Sequence, residues 1–185
     1  MLKAAPDAQG RVHDMPNAIG FSDRDVPFSA RRPNSGPLLA VTASRFDVEK
    51  RPITDLLLTF WDRQLREQLG NIHWVVAGDG IDLPELRAAA RMVNAALGHE
   101  AVLLPGWLSS QELDALWEKA DFSISPGRSA LESIAAGLPT IAVGSVGVAG
   151  LCTPDTYQDM KYTNFGGTGT TQAPSQGLFV GLPQT

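Results

Sequence analysis

The sequence has one cysteine, no run of basic residues, no long hydrophobic stretch and few histidines. The single cysteine among 185 residues, Cys152, excludes an intrachain disulfide and is compatible with the cytoplasmic location that we expect. A net charge of −5 without a basic run argues against nucleic acid or an anionic membrane as the main partner. His13, His73 and His99 lie far apart in the sequence, without the spacing of metal ligands, so we expect no bound metal.

No apolar stretch approaches the roughly 18 residues of a membrane-spanning helix, and the N-terminus lacks the apolar core of a signal peptide. The 43% hydrophobic and 19% charged fractions are ordinary for a globular protein. Amino-acid composition and hydrophobic periodicity divide the sequence into three parts. We predict that the irregular, Pro-containing residues 1–36 form an interdomain linker or arm, that residues 37–165 form one domain, and that residues 166–185, rich in Gly, Thr and Ser, form a flexible tail.

Short apolar runs alternate with amphipathic segments from residue 37 to residue 144. Apolar residues at i, i+3, i+4 and i+7 predict helices, and the nearly continuous apolar runs predict strands buried on both faces. This alternation predicts an α/β domain with a doubly wound, Rossmann-like parallel sheet of five to six strands. The predicted strands are 38–42, 72–77, 101–104, 122–124 and 140–143.

Three pairs of polar residues, each with a Glu three positions after a Ser or Asp, mark predicted helix starts. In such a capping box the first side chain and the Glu carboxylate each accept a backbone N–H of the first turn. Gly98 and Gly137 predict the ends of two of these helices. The pairs are Asp82 with Glu85, Ser109 with Glu112, and Ser129 with Glu132.

The stretch 123–144 organises the rest of the domain. It predicts a strand, a break at Pro126 and Gly127, a helix, and a buried strand. A helix that opens directly after a strand directs its free N–H groups and the positive end of its dipole to the carboxyl edge of the sheet. That edge is where open α/β sheets bind phosphate-bearing ligands.

Residues 16–166 resemble the C-terminal, nucleotide-sugar donor-binding domain of retaining glycosyltransferases of the GT-B fold and glycogen-synthase-like class. No single motif is specific, but several occur in the order of that family at plausible spacing. The resemblance implies that the sequence is the C-terminal half of a GT-B architecture. The matching segments are 15–19 (Met-Pro-Asn-Ala-Ile), 43–50 (Ala-Ser-Arg-Phe-Asp-Val-Glu-Lys), 75–80 (Val-Val-Ala-Gly-Asp-Gly), 104–107 (Leu-Pro-Gly-Trp), 120–122 (Ala-Asp-Phe) and 131–139 (Leu-Glu-Ser-Ile-Ala-Ala-Gly-Leu-Pro).

The sequence departs from the family at several positions. Ala18, Ser44 and Arg51 stand where the family has glycines. The family also carries two glutamates separated by seven residues, and only the second is present here, as Glu132; the first position is occupied by Ile124. The acidic loop of the family is therefore shortened or replaced.

A subgroup of related proteins carries the Gly-Arg-Ser form found at 127–129, followed by segments like 153–155 (Thr-Pro-Asp) and 164–166 (Asn-Phe-Gly). The acceptor-binding N-terminal domain of the family has no counterpart in the sequence, which we interpret as a fragment. The resemblance implies that this N-terminal domain is a partner, and it leaves open a peripheral membrane association of the full-length enzyme.

Arg45 and Lys50 are the candidate catalytic residues that the resemblance implies. They lie five residues apart after the first predicted strand, where both could reach one diphosphate and stabilise its departure. Arg offers a bidentate fork and Lys a point charge. The alternative is two solvated loop charges, with Lys50 paired to Glu49.

Two further groups of residues are candidates for nucleotide binding. Glu132 could accept hydrogen bonds from the ribose hydroxyls, or could only cap its helix with Ser129. Gly127, Arg128 and Ser129 could give N–H groups and a cation to the phosphates, or could form a plain strand-to-helix turn.

The glycines Gly78, Gly80 and Gly106 follow other predicted strands and could border the base. We interpret Trp107 as core or rim packing more readily than as a stacking platform, and the other tryptophans, Trp61, Trp74 and Trp117, as core or interface.

The resemblance implies a glycosyltransferase that moves a hexosyl group from a UDP-sugar to an unknown acceptor, with no other cofactor and no metal. No general base or nucleophile stands out in the sequence, so we expect this chain alone to bind nucleotide without turnover. One alternative is a non-catalytic Rossmann-like module that binds a nucleotide or partner, favoured by the absent first glutamate. Another is a relative of sugar-nucleotide epimerases. The NAD fingerprint Gly-x-Gly-x-x-Gly does not follow the first strand at Thr42.

Overall fold

The computed structural model describes residues 36–67 and 69–167. Strands and helices alternate through most of this part of the chain. The strands are β1 (Leu38–Arg45), β2 (Ile72–Asp79), β3 (Val102–Gly106), β4 (Phe122–Ser125), β5 (Thr140–Gly144) and β6 (Gly147–Leu151). The helices are α1 (Arg51–Leu65), α2 (Leu83–Leu97), α3 (Ser110–Lys119), α4 (Gly127–Ala135) and α5 (Tyr157–Tyr162), with a 3-10 turn at Val48–Lys50.

The six strands form one sheet in the order β3-β2-β1-β4-β5-β6. The first five strands are parallel, as the alternation of strands and helices predicts. The prediction of an α/β, doubly wound, Rossmann-like sheet is therefore confirmed. The sixth strand pairs with β5 in antiparallel orientation and was not predicted as a strand.

Successive residues of the central strands face two different cores. Ala40 packs with α1 and α2 in a large apolar cluster, while Val41 packs on the other face with Trp117 of α3. A smaller cluster joins Ala130 of α4 to Phe165, which follows α5. Trp61, Trp74 and Trp117 are each at most 2% exposed, so their prediction as core residues is confirmed.

Only one of the three predicted capping boxes forms. Ser109 accepts the N–H of Glu112, and the Glu112 carboxylate accepts the N–H of Ser109 at 2.8 Å. The prediction that Ser129 caps a helix is wrong, because α4 begins at Gly127 with Pro126 before it and Ser129 lies inside the first turn. The prediction for Asp82 is also wrong, since its side chain makes no capping hydrogen bond.

The predicted domain boundaries remain predictions. The proposed linker, residues 1–36, lies outside the described residues except for Gly36, and the proposed tail, residues 166–185, lies outside them except for Gly166 and Gly167.

Candidate functional site at the carboxyl edge of the sheet

The order of the strands reverses between β1 and β4. The chain adds β2 and β3 on one side of β1, and then returns to place β4 and β5 on the other side. Ala40 pairs with Phe122 and Val41 with Ser123, so β1 and β4 are direct parallel neighbours. The loop after β1 and the turn after β4 therefore leave adjacent strands at the same edge of the sheet. In open α/β sheets, the crevice at such a reversal is the usual ligand site.

The loop after β1 is packed tightly against the loop after β2. The Phe46 N–H donates to the Asp79 carbonyl at 2.8 Å, and the Phe46 carbonyl accepts the Asp82 N–H at 2.9 Å. The Phe46 side chain is fully buried. These contacts fix the backbone between the two cationic candidates, Arg45 and Lys50.

At two of the glycines predicted to bind a ligand, the packing of this loop leaves no space for a side chain. A Cβ atom at Gly78 would lie 1.8 Å from the Ser44 carbonyl oxygen, and one at Gly80 would lie 2.5 Å from the Phe46 carbonyl group. Any side chain at either position would push the loop after β1 away from the sheet edge. Gly78 and Gly80 therefore position this loop, and their contact with a ligand stays a prediction.

The Arg45 side chain, 63% exposed, is paired with two carboxylates of its own loop. Its guanidinium nitrogens lie 3.5 Å from Asp47 and 3.6 Å from Glu49. The predicted alternative pairing of Lys50 with Glu49 is therefore replaced by a pairing of Arg45 with Glu49. Lys50 ends the 3-10 turn and is half-buried, and among the described residues no carboxylate pairs with its ammonium group.

The turn after β4 requires a glycine. Gly127 opens α4 with φ of +49°, in the left-handed region that other residues seldom adopt. The Arg128 Nε donates to the Glu132 carboxylate at 2.8 Å, one helical turn away. The sequence predicted Glu132 as a ribose ligand or a capping residue; in the structure its carboxylate is engaged by Arg128, and its side chain is 28% exposed.

A third segment approaches this turn. Asn164 and Phe165 have φ of +51° and +54°, which is rare for residues other than glycine. The Asn164 side chain lies 3.5 Å from the position of a Cβ at Gly127. Phe165 is 1% exposed and anchors the segment through Tyr157, with ring centroids 5.7 Å apart. Asn164 was not among the predicted site residues, although the Asn-Phe-Gly triplet at 164–166 was a usable signal.

The end of β3 carries an exposed indole. Trp107 is 77% exposed, so the core part of its core-or-rim interpretation is wrong, while rim packing stays a prediction. Gly106 before it has φ of +84°, and a Cβ at that position would meet no atom within 4 Å. This end of the edge is open and apolar, whereas the β1 and β4 loops carry the charges.

The position of the absent first glutamate is closed to a ligand. Ile124, which takes its place in the sequence comparison, is fully buried in β4 and packs in the large core. Within residues 36–67 and 69–167, no group of three or more His, Cys, Asp and Glu side chains is arranged to hold a metal ion. No helix in these ranges combines the length and apolar character needed to cross a bilayer.

Comparison with known proteins gives one family and a set of similar folds. A family model described as glycosyl transferases group 1 matches residues 38–159, more than half of the chain. No curated protein matches the sequence.

Among solved structures, the lipopolysaccharide outer core galactosyltransferase WaaB in its apo form is similar, with 22% identity and a TM-score of 0.50 over 69% of this chain. The pneumococcal O-GlcNAc transferase GtfA, solved with UDP and GlcNAc, is 19% identical over 70% of this chain, with a TM-score of 0.45.

The chain spans about a third of these structures, 35% of WaaB and 27% of GtfA. The similarity to WaaB concerns the fold, a mixed sheet dominated by parallel strands and covered by helices.

Proposed function

The chain belongs to the group 1 glycosyl transferases and has the fold of the C-terminal domain of a GT-B enzyme, and from this premise we propose that its carboxyl edge binds a UDP-sugar for hexosyl transfer. The observation that carries the proposal is the adjacency of β1 and β4. It supports the proposal because the loop with Arg45 and Lys50 and the turn with Gly127 and Arg128 leave neighbouring parallel strands at the same edge of the sheet.

The diphosphate of the donor lies between these two loops. Arg45 and Lys50 supply cations from one side, and the free N–H groups of Gly127, Arg128 and Ser129 supply donors at the start of α4. When the glycosidic bond breaks, negative charge grows on the diphosphate. Fixed cations and N–H dipoles at this point stabilise the departing group.

Binding exchanges partners at both arginines. Arg45 leaves Asp47 and Glu49 for a phosphate oxygen, and Arg128 leaves Glu132. Glu132 is then available to accept hydrogen bonds from the ribose hydroxyls. These ion pairs join exposed or half-exposed side chains, so each costs only about 0.2–1 kcal/mol to break.

The base extends along the edge towards β3. Trp107 and the unobstructed backbone around Gly106 offer an apolar wall. Adjacent strands are about 4.8 Å apart, so β3 lies about 10 Å from β1. This spacing is comparable to the distance between the base and the diphosphate of an extended nucleotide.

Titration calorimetry with UDP, UMP, ADP and GDP tests the proposal. We expect UDP to bind, and Arg45→Ala to weaken UDP about tenfold while changing UMP less than twofold, because UMP lacks the second phosphate. Arg91→Ala, on the exposed face of α2, serves as the matched control and should bind UDP as the unmodified chain does. Equal losses for UDP and UMP would contradict the diphosphate role of Arg45.

Catalysis by this chain alone is a separate question. The resemblance implies that groups of an acceptor-binding domain complete the cleft, and this chain spans 35% of WaaB. We expect no transfer from UDP-sugar to a panel of acceptors above background. Measurable turnover would show that these residues are sufficient.

A non-catalytic nucleotide- or partner-binding module is the second candidate. It is favoured by the loss of the first family glutamate, whose position is held by the buried Ile124. If no nucleotide binds at millimolar concentration, this candidate replaces the first.

A further inference from the structure

Arg51, the first residue of α1, makes an extended set of ion pairs. Its Nε donates to Asp55 at 2.8 Å, and its Nη1 and Nη2 donate to the two carboxylate oxygens of Glu85 at 2.5 and 3.1 Å. Nη1 also lies 3.6 Å from Asp82. The planar fork of arginine fits this arrangement, in which a lysine would reach fewer partners.

These contacts join two helix starts at the carboxyl edge. Asp55 belongs to α1, while Asp82 and Glu85 lie at the start of α2. Asp82 also accepts the hydroxyl of Thr54 at 3.0 Å, and Thr54 is fully buried. The two carboxylates that fail to cap α2 are therefore used to hold the start of α1.

This arrangement restrains the backbone of the residues between β1 and α1. At one end, the Phe46 backbone is hydrogen-bonded to Asp79 and Asp82. At the other end, Arg51, which directly follows Lys50, is tied by its own side chain to Glu85 and Asp82 at the start of α2. The segment 46–50 is thus fixed against α2 at both ends.

We infer that Arg51 is a positioning residue: together with Glu85 and Asp82 it clamps the segment 46–50, which directly follows Arg45 and ends at Lys50, and so sets the positions from which both cations reach the second phosphate of the donor. This inference rests on the proposed function. We assign Arg51 a positioning role because Glu85 and Asp55 already occupy three of its five N–H donors and Asp82 lies 3.6 Å from its Nη1. The hydrogen bonds that Arg51 donates to Glu85 and Asp55 raise the pKa of Arg51, so its charge is permanent.

Hydrogen exchange on the chain without nucleotide is the first test. The Lys50 N–H donates to the Asp47 carbonyl at 2.7 Å, inside the clamped segment. In Arg51→Ala this amide should exchange roughly tenfold faster, because the opening of the segment costs less free energy. Glu85→Gln, which keeps the side-chain shape, should show the same direction of change. Unchanged exchange in both variants would overturn the inference.

Arg66→Ala is the matched control. Arg66 Nε donates to Asp62 at 2.8 Å beside the other end of α1, with the same spacing of four residues as the Arg51–Asp55 pair but in the opposite order. Its removal should leave the Lys50 amide and nucleotide binding unchanged. An equal effect of Arg66→Ala would show a general loss of α1 stability, and would overturn the specific role of Arg51.

Calorimetry is the second test. Arg51→Ala should weaken UDP binding about fivefold to tenfold while changing UMP less than twofold, and Arg51→Lys should recover part of the loss. Equal losses for UDP and UMP would overturn the positioning role. If the unmodified chain binds no UDP, the proposed function fails, and the exchange experiment still decides whether the clamp exists.

Discussion

The two halves of the sheet, β1–β3 and β4–β6, differ in the kinds of residues that they bury. On the β1–β3 side, large rings dominate the core: the ring centroids of Trp74 and Phe60 are 5.5 Å apart, and the Trp74 ring also reaches Phe122, the first residue of β4, at 6.0 Å. On the β4–β6 side, several of the buried positions are instead small or hydroxylated. Ser123, Ser125, Ser133 and Thr140 are all fully buried there.

The small residues of the second half let backbone segments come together. A Cβ at Gly144 would lie 2.7 Å from the Gly166 Cα, and one at Gly167 would lie 2.2 Å from the Gly147 carbonyl oxygen. The buried hydroxyls satisfy one another, as Ser133 and Thr140 do at 2.8 Å. The first half therefore packs mainly through large side chains, while the second half also packs through close contacts between backbone segments.

The largest expected effect comes from breaking the aromatic frame. Trp74 is 1% exposed, and its Nε1 donates to Gln64 at 2.7 Å. Trp74→Ala should lower the free energy of unfolding by about 3–5 kcal/mol, through lost burial, a cavity and the loss of the donor to Gln64 Oε1. Urea unfolding measures this loss. The exposed Trp107→Ala is the control and should change stability by less than about 0.5 kcal/mol.

Adding one methyl group at Gly144 should destabilise the packing on the β4–β6 side of the sheet. Gly144→Ala places a Cβ against the Gly166 backbone and should cost about 2–3 kcal/mol in the same urea experiment. Gly98→Ala is the matched substitution at the end of α2. It meets no atom within 4 Å but has φ of +73°, so only about 1 kcal/mol of backbone strain is expected. Similar losses at both glycines would contradict the close approach at Gly144.

Arg45 and Arg128, which the two sides of the sheet bring to its carboxyl edge, differ in the number of their ion pairs. Arg45 has two carboxylate partners in its loop, whereas Arg128 is paired with one. The double change Asp47→Asn and Glu49→Gln frees Arg45 and should tighten UDP binding about threefold, consistent with exposed ion pairs worth about 0.2–1 kcal/mol. Asp114→Asn, an exposed change on α3, should leave the affinity unchanged in calorimetry. Weaker UDP binding in the double variant would mean that the carboxylates hold Arg45 in place for the ligand.

The smallest expected effect is a pH dependence of stability on the first side of the sheet. Hydrogen bonds from Arg51 lower the pKa of Glu85, and those from the Ser109 hydroxyl and N–H lower the pKa of Glu112. A carboxyl with a lowered folded-state pKa stabilises the fold above its unfolded-state pKa, and this contribution is lost as the pH falls through the folded-state pKa. Urea midpoints should therefore fall below about pH 4.5. This fall should be smaller in the Glu85→Gln variant, and an unchanged pH profile would contradict the ion pair.

Local sequence patterns predicted the parallel strands and the start of α3, because local residue preferences and tertiary packing favour the same structure in these segments. The apolar runs and helical periods gave the five parallel strands, and Ser109 capped α3 as expected since its partner is three residues away. The strand β6 was missed because Gly147 and Gly150 weaken the strand signal. It forms through antiparallel pairing with β5, a contact that no local pattern reports.

The failures at the candidate site have a common physical cause. Glu85 and Glu132 fit the capping pattern, but each is engaged by an arginine that offers a stronger, charge-assisted bond. The partner of Glu85 lies 34 residues away, beyond the reach of a local pattern. The packing role of Gly78 and Gly80 was likewise hidden, because it depends on how the loop after β1 lies on that after β2.

The position of β3 at one end of the sheet order has a consequence for self-association. An outermost strand presents unpaired N–H and carbonyl groups to any passing chain. Pro105 lies within β3 and has no N–H to offer, so it interrupts this row of donors. The same short strand that carries the open end of the candidate crevice is thereby a poor template for cross-molecule pairing, which protects the domain against aggregation through this flank.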